Sequence, residues 1–286
     1  MRTVRTVAEV RAALAPLRAT GAIGLVPTMG AYHEGHLSLF RAARAANSTV
    51  VASLFVNPTQ FLAGEDFGAY PRDEERDAAL AAANGVDLLY APSVEEMYPS
   101  GFQTHVEVGE ASLPLEGAAR PGHFRGVATV CLKLFTAIRP DRAYFGQKDA
   151  QQVAVLRRLV RDLDLELELV ALPTVREANG LALSSRNVYL SPGERQVALA
   201  LSRGLVAGQA AWHATGGSDI AASPDERSAR AERAARTVLE AEPGLALDYV
   251  QVERFDPLSP AVLAGAIRVG RTRLIDNVVL DEGDPQ

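Results

Sequence analysis

The sequence predicts an α/β protein: a doubly wound parallel sheet followed by a second, smaller α+β domain. Three observations predict it. Short, continuously apolar runs such as Ile23 to Val26 and Thr49 to Val56 alternate with segments of helical spacing. Turns punctuated by Gly or Pro carry the chain from a run into the next helix. Beyond about residue 175 this alternation stops, and two long Ala- and Arg-rich helical segments precede the last strands.

In order, apolar residues at helical spacing from Val7 to Ala19, closed by Gly21, predict a first amphipathic helix. Ile23 to Val26 reads as a strand ended by Pro27, and the pattern from about Gly35 as a helix. Thr49 to Val56 is a strand buried on both faces. A helix over Asp73 to Ala83, a strand over Val86 to Tyr90, a helix over Gly126 to Ile138, a strand over Ala143 to Phe145, a helix from Asp149 and a strand over Leu165 to Leu172 continue the series. Such alternation gives a Rossmann-like sheet with right-handed crossovers, whose ligands gather at the carboxyl ends of the strands. The smaller domain is expected over residues 175 to 286, after a first domain of residues 1 to 174. Its elements are a helix over Pro192 to Trp212, a break at 216 to 224, a helix to about Glu242, and strands over Leu247 to Val252 and Ile267 to Asp276.

Composition narrows the function classes. The 286 residues are 48% hydrophobic and 22% charged, an ordinary globular balance. The 29 basic and 35 acidic residues give −6, with no basic run, which argues against nucleic acid or an anionic membrane as partner. No stretch approaches ~18 apolar residues, and the first ten lack the apolar core of a signal peptide, so a cytoplasmic protein is expected. The single Cys131, in an apolar run, reads as a buried thiol in a reducing compartment.

Four segments carry chemistry. Pro27-Thr28-Met29-Gly30-Ala31-Tyr32-His33-Glu34-Gly35-His36 leaves the first core strand and enters a helix, where backbone N–H groups and the helix dipole favour anions. His33 and His36, three apart, place both rings on one side, able to donate to phosphate oxygens and to charge developing on a leaving pyrophosphate. Gly35 permits close backbone approach. Helix-capping histidines and metal ligands are the other readings of this pair; the spacing differs from the zinc-protease motif, where two histidines stand four apart.

Asn57 and Gln60, in Phe55-Val56-Asn57-Pro58-Thr59-Gln60-Phe61, offer amides suited to a small acid; an Asn-Pro turn serving only its own backbone accounts for them equally well. In Tyr144-Phe145-Gly146-Gln147-Lys148-Asp149-Ala150-Gln151-Gln152, Lys148 suits phosphates and Asp149 a ribose hydroxyl or magnesium, while an exposed Lys-Asp pair at a helix start is the alternative. Leu183-Ser184-Ser185-Arg186-Asn187 is a donor-rich loop able to close over a triphosphate, or an ordinary polar loop. Gly122 to Gly126, with Glu116 and Arg120 ahead of it, reads as a further loop, a lid over the acid substrate.

These segments, with Tyr70-Pro71-Arg72 and Gly122 to Val130, occur in an order that resembles the pantoate–β-alanine ligases, members of the nucleotidyltransferase superfamily marked by His-x-Gly-His. The likeness runs from Pro27 to Asn187; beyond that it lies in layout rather than motif. It implies an ATP-dependent ligase that makes pantoyl adenylate from pantoate and ATP, then pantothenate and AMP by attack of β-alanine. It further implies ATP contacts from Met29, Gly30, His33, Gly35, His36, Gly146, Gln147, Lys148, Asp149, Val175, Leu183, Ser184, Ser185 and Arg186. His36 is implied as the acid at the phosphates, with His33 beside it and Lys148, Ser184, Ser185 and Arg186 also catalytic. Gln60, Gln152 and Asn57 are implied for pantoate and β-alanine. Mg2+ accompanying ATP, a homodimer and a C-terminal domain acting as a lid complete the implied picture. Leu62 and Cys131 depart from the pattern. Another enzyme of the superfamily, acting on a different small acid or a phosphorylated acceptor, is the alternative.

Overall fold

The computed structural model describes residues 1–214 and 223–281. The chain forms two compact units, one of residues 1–146 with 151–173, the other of residues 147–150 with 174–286.

The first unit begins with β1 (Arg2–Val4) and α1 (Val7–Leu14), whose capping box pairs Thr6 with Glu9. There follow β2 (Ile23–Thr28), α2 (Glu34–Ala46), β3 (Thr49–Leu54), α3 (Glu74–Ala83), β4 (Leu88–Tyr90), two single-turn helices α4 (Val94–Met97) and α5 (Glu116–Ala119), α6 (His123–Ile138), β5 (Arg142–Gly146), α7 (Ala150–Asp162) and β6 (Glu168–Leu172). The six strands are parallel in the order β1-β4-β3-β2-β5-β6. From β2 the chain winds outward through β3 and β4, then returns to start the other half at β5. The order therefore reverses between β2 and β5, which is where an open α/β sheet leaves a crevice. Val26, Phe40, Val50, Ala52, Leu89 and Tyr144 form a buried layer between the sheet and its helices.

The second unit holds α8 (Pro192–His213) and α9 (Pro224–Glu240), each opened by a Ser-Pro-x-Glu capping box, and an antiparallel sheet of β7 (Leu245–Glu253), β8 (Val262–Val269) and β9 (Thr272–Val279). Leu201, Leu205, Ala231, Leu239, Leu263 and Ile267 build its core. Among the described residues, no helix is long and apolar enough to cross a membrane.

The expected α/β architecture is present, with local differences. Pro27 lies inside β2 rather than ending it. Its missing N–H is tolerated because pairing with β5 stops at Leu25, while pairing with β3 continues to Thr28. The helix expected to reach Ala19 ends at Leu14, a short 3₁₀ turn following at Leu17–Ala19. β1, too short and polar to show a pattern, is held by pairing with β4. The single strand expected over Ile267 to Asp276 is a hairpin: Gly270, at φ 56°, and Arg271 turn β8 back into β9. The expected break at 216 to 224 lies mostly outside the described residues, which resume with Ser223 as the N-cap of α9.

Candidate active site

The segment from Met29 to His36 emerges at the carboxyl end of β2, beside the point where the strand order reverses. His33 is the N-cap of α2 and His36 its third residue. Nδ1 of His33 accepts the backbone N–H of Gly35 at 3.2 Å, and the backbone N–H of His33 donates to Nδ1 of His36 at 3.4 Å. The pair thus forms a capping box from two imidazoles, their ring centroids 4.3 Å apart. Because Nδ1 is the acceptor in both, each neutral ring carries its proton on Nε2. Capping and chemistry are therefore not rival readings here: the cap fixes the tautomer, so that Nε2–H is the donor of each ring at a helix N-terminus.

The turn ahead of the histidines is strained and braced. Gly30 has φ 88° and Ala31 φ 53°. A Cβ on Gly30 would stand 2.7 Å from Leu54 Cδ1 and 2.8 Å from Asp77 Oδ2. Asp77, 1% exposed on α3, accepts the N–H of Ala31 at 2.7 Å and of Tyr32 at 2.9 Å, while Arg76 donates to the Tyr32 carbonyl at 3.2 Å. Nothing in the sequence singles out Asp77, since an acidic residue on a predicted helix reads as a solvated one.

At the end of β3, Asn57 caps a 3₁₀ turn over Pro58–Gln60. Its side chain is spent inside the protein: Nδ2 donates to Gln60 Oε1 at 3.0 Å and to the Gly126 carbonyl at 3.1 Å, and Oδ1 accepts from the Tyr98 hydroxyl at 2.8 Å and from Thr59 Oγ1 at 2.9 Å. Asn57 is 1% exposed, and its bond to Gln60 orients that amide. Gln60 is half-buried, and its Nε2 lies 3.3 Å from the Met29 sulfur, so the amide faces the segment that leads to the two histidines. Gly126 lets α6 reach this turn; a Cβ there would sit 2.4 Å from the Thr59 carbonyl oxygen. Gln152, also half-buried, lies on the first turn of α7. Gly146 closes β5, where an added Cβ would meet nothing within 4 Å.

The expected loop at Gly122 to Gly126 is instead the first turn of α6, with His123 8% and Phe124 4% exposed; apolar burial of that turn removes it as a lid. Burial pushes the Cys131 thiol up to about 12, so it is an inert core residue.

In the second unit, Gln147–Asp149 form a 3₁₀ turn in which Lys148 Nζ lies 3.6 Å from Asp149 Oδ1. Asn277 on β9 holds this turn by donating to the carbonyls of Gln147 and Lys148 at 2.9 and 2.8 Å. Val175 and Leu183 are paired, the Leu183 N–H donating to the Val175 carbonyl at 3.0 Å. Within that hairpin Arg176 grips Asp276 through both Nη atoms, at 2.5 and 3.0 Å. Ser184 caps a 3₁₀ turn over Ser185–Tyr189, accepting the Arg186 N–H at 3.3 Å, and buried Asn187 donates to the Ala182 carbonyl at 3.0 Å. The Ser184 to Arg186 segment is thus a capped, anchored turn rather than an open polar loop. Asp276 and Asn277 escape a reading of the sequence because β9 looks there like the end of a longer apolar strand.

A family model described as pantoate-beta-alanine ligase matches residues 2–279. A protein of Moorella thermoacetica named pantothenate synthetase is 52% identical, the match covering 99% of this chain and 100% of that one. The crystal structure of pantothenate synthetase from Thermus thermophilus superposes with a TM-score of 0.88 at 51% identity, over 98% of this chain and 99% of that one. Pantoate-beta-alanine ligase from Francisella tularensis, complexed with beta-gamma ATP and beta-alanine, superposes at 0.77 with 32% identity over 99% of each. On sequence over nearly its whole length, and on fold, the chain belongs to the pantoate–β-alanine ligase family.

Proposed function

We propose that this chain joins pantoate to β-alanine at the expense of ATP, through a pantoyl-adenylate intermediate. The observation that carries the reading is the reciprocal imidazole cap of His33 and His36 at the switch point of the sheet. The names of its relatives, and the ligands of the Francisella tularensis ligase, support the same substrates.

A carboxylate is a poor electrophile, and coupling to AMP gives its carbonyl carbon a leaving group. A pantoate carboxylate oxygen attacks the α-phosphorus, the bond to the bridging oxygen breaks, and pyrophosphate departs. The amine of β-alanine then attacks the acyl carbon, the bond to AMP breaks, and nitrogen sheds a proton. The Nε2–H groups of His36 and His33 and the first N–H groups of α2 donate to the phosphates, most strongly as charge builds on the departing pyrophosphate. Met29, Gly30, Gly35 and Gly146 shape the backbone for the nucleotide. Gln60 and Gln152 hold the acid, and Asn57 acts through Gln60.

From the second unit, Lys148, Ser184, Ser185 and Arg186 are assigned to the phosphates, with Gln147, Asp149, Val175 and Leu183 completing the nucleotide contacts. Among the described residues no group of three or more His, Cys, Asp or Glu could hold a metal by itself. Mg2+ fits this chain as an ion carried on the triphosphate, with Asp149 the carboxylate that would hold it; when bound it neutralises phosphate oxygens. A homodimer in the cytoplasm belongs to the same proposal, and sedimentation at several concentrations tests the dimer.

Pantoate labelled with 18O in its carboxylate tests the chemistry. One labelled oxygen in AMP, at one AMP per pantothenate, is the expected result. Label appearing in pyrophosphate, inorganic phosphate or water, with none in AMP, contradicts the adenylate route.

A further inference from the structure

Gln60 is held at its backbone as well as at its amide. Arg120, its side chain 15% exposed, donates through Nε and Nη2 to the two carboxylate oxygens of Glu65, both at 2.7 Å. The same guanidinium reaches the Gln60 carbonyl through Nη2 at 3.2 Å and His123 Nε2 through Nη1 at 3.2 Å. His123 Nδ1 meets that carbonyl again at 2.8 Å. A carbonyl only accepts and a guanidinium only donates, so Nδ1 of His123 carries the proton and Nε2 accepts. The ring is therefore neutral. Burial, then the charge of Arg120, hold its pKa down to about 4, against the opposing pull of the Gln60 carbonyl, Glu116 and Glu65. Glu65 also accepts the Leu62 N–H at 3.0 Å, which folds the chain after Gln60 back on itself. Two converging donors thus end on one carbonyl, that of the residue whose side-chain oxygen Asn57 holds.

We propose that Glu65, Arg120 and His123 form a clamp that positions Gln60 for the acid substrate, and that the clamp governs affinity for the acid rather than for ATP. The inference rests on the reading of Gln60 as a substrate residue. A clamp built only to fasten a loop would need one ion pair. This one sets a buried imidazole between Arg120 and Gln60, an arrangement that costs desolvation and fixes a direction in return.

Steady-state kcat and KM for pantoate and for ATP in Glu65→Gln, Arg120→Lys, His123→Asn and His123→Leu, with Gln60→Ala as reference, test it. Glu65→Gln and Arg120→Lys are expected to raise the KM for pantoate about tenfold, the size of a lost charge-assisted hydrogen bond, with the KM for ATP within about twofold of wild type. His123→Asn, whose amide nitrogen takes the place of Nδ1, is expected to keep more pantoate affinity than His123→Leu. Pantoate KM unchanged in Glu65→Gln and Arg120→Lys while Gln60→Ala raises it overturns the clamp and leaves Gln60 in its role. Equal rises for both substrates also overturn it, since a general loss of structure gives that pattern. No effect of Gln60→Ala on pantoate overturns the reading of Gln60 and the clamp with it. Should His123→Leu fail to fold, Glu65→Gln, on the loop after Gln60, decides the matter alone.

Discussion

The carboxylate of Asp77 accepts the backbone N–H of Ala31 at 2.7 Å and so holds a non-glycine residue at φ 53° two positions before His33. Left-handed backbone at a residue with a Cβ costs about 1 kcal/mol or more and persists only where neighbours overdetermine it. Asp77→Ala removes the acceptor of two backbone N–H groups and is expected to lower unfolding free energy by about 2–4 kcal/mol in urea titration. It should also raise the KM for ATP, because the turn that delivers the imidazoles loses its brace. Wild-type stability in this variant removes Asp77 from that role.

Two glycines with nearly the same φ separate strain from crowding. Gly30 and Gly64 have φ of 88° and 87°, but a Cβ at Gly64 meets nothing within 4 Å, whereas at Gly30 it meets Leu54 and Asp77 below 3 Å. Gly64→Ala is expected to cost about 1 kcal/mol and Gly30→Ala about 2 kcal/mol more. Thermal and urea unfolding of the two variants compare them directly. Equal costs would show that the loop around Gly30 relaxes freely.

The neutral ring of His123 predicts a pH dependence. Its folded pKa, about 4, lies below the ordinary value near 6.5, so the unfolded chain takes up a proton that the folded chain refuses between those limits. The stability contribution is intact above about pH 6.5 and is lost as pH falls toward 4, by roughly 3 kcal/mol in all. Subtracting the unfolding free energies of His123→Asn from those of wild type across pH 4–7 isolates this part. A difference that does not change with pH contradicts a buried neutral imidazole.

Arg176 and Asp276 make the corresponding prediction in the second unit. The Asp276 side chain is 2% exposed, and Arg176 is its bidentate partner. Arg176→Ala is expected to cost about 3–5 kcal/mol by leaving a buried carboxylate uncompensated, while Arg176→Ala with Asp276→Ala recovers part of that loss. Strict additivity of the two substitutions in a double-mutant cycle contradicts the pairing.

The sheet is legible because its strands are buried on both faces and read as unbroken apolar runs; Ile23 to Val26 and Thr49 to Leu54 declare themselves without partners. The histidine pair is legible for a local reason too, since His33 and His36 lie three apart at a helix start, and capping is decided within one turn. What supports them is not local. Asp77 reaches Ala31 across 46 positions and Asn277 reaches Lys148 across 129, and no periodicity reveals which acidic or amide side chain will be buried at such range. The bonds of Asn57 are hidden for the same reason: only packing against Tyr98 and Gly126 shows which groups its amide meets. The turn at Gly270-Arg271 is hidden because the residues on either side share one apolar pattern, so the hairpin reads as a single strand.

Exchange of labelled pyrophosphate into ATP tests the central claim, that the two imidazoles act on the triphosphate while an organic acid is activated. Wild-type protein is expected to catalyse exchange only when pantoate is present and without β-alanine, and His36→Ala to lower that rate by about two to three orders of magnitude while remaining folded. Exchange that proceeds without pantoate, or that survives in His36→Ala at near the wild-type rate, contradicts the account.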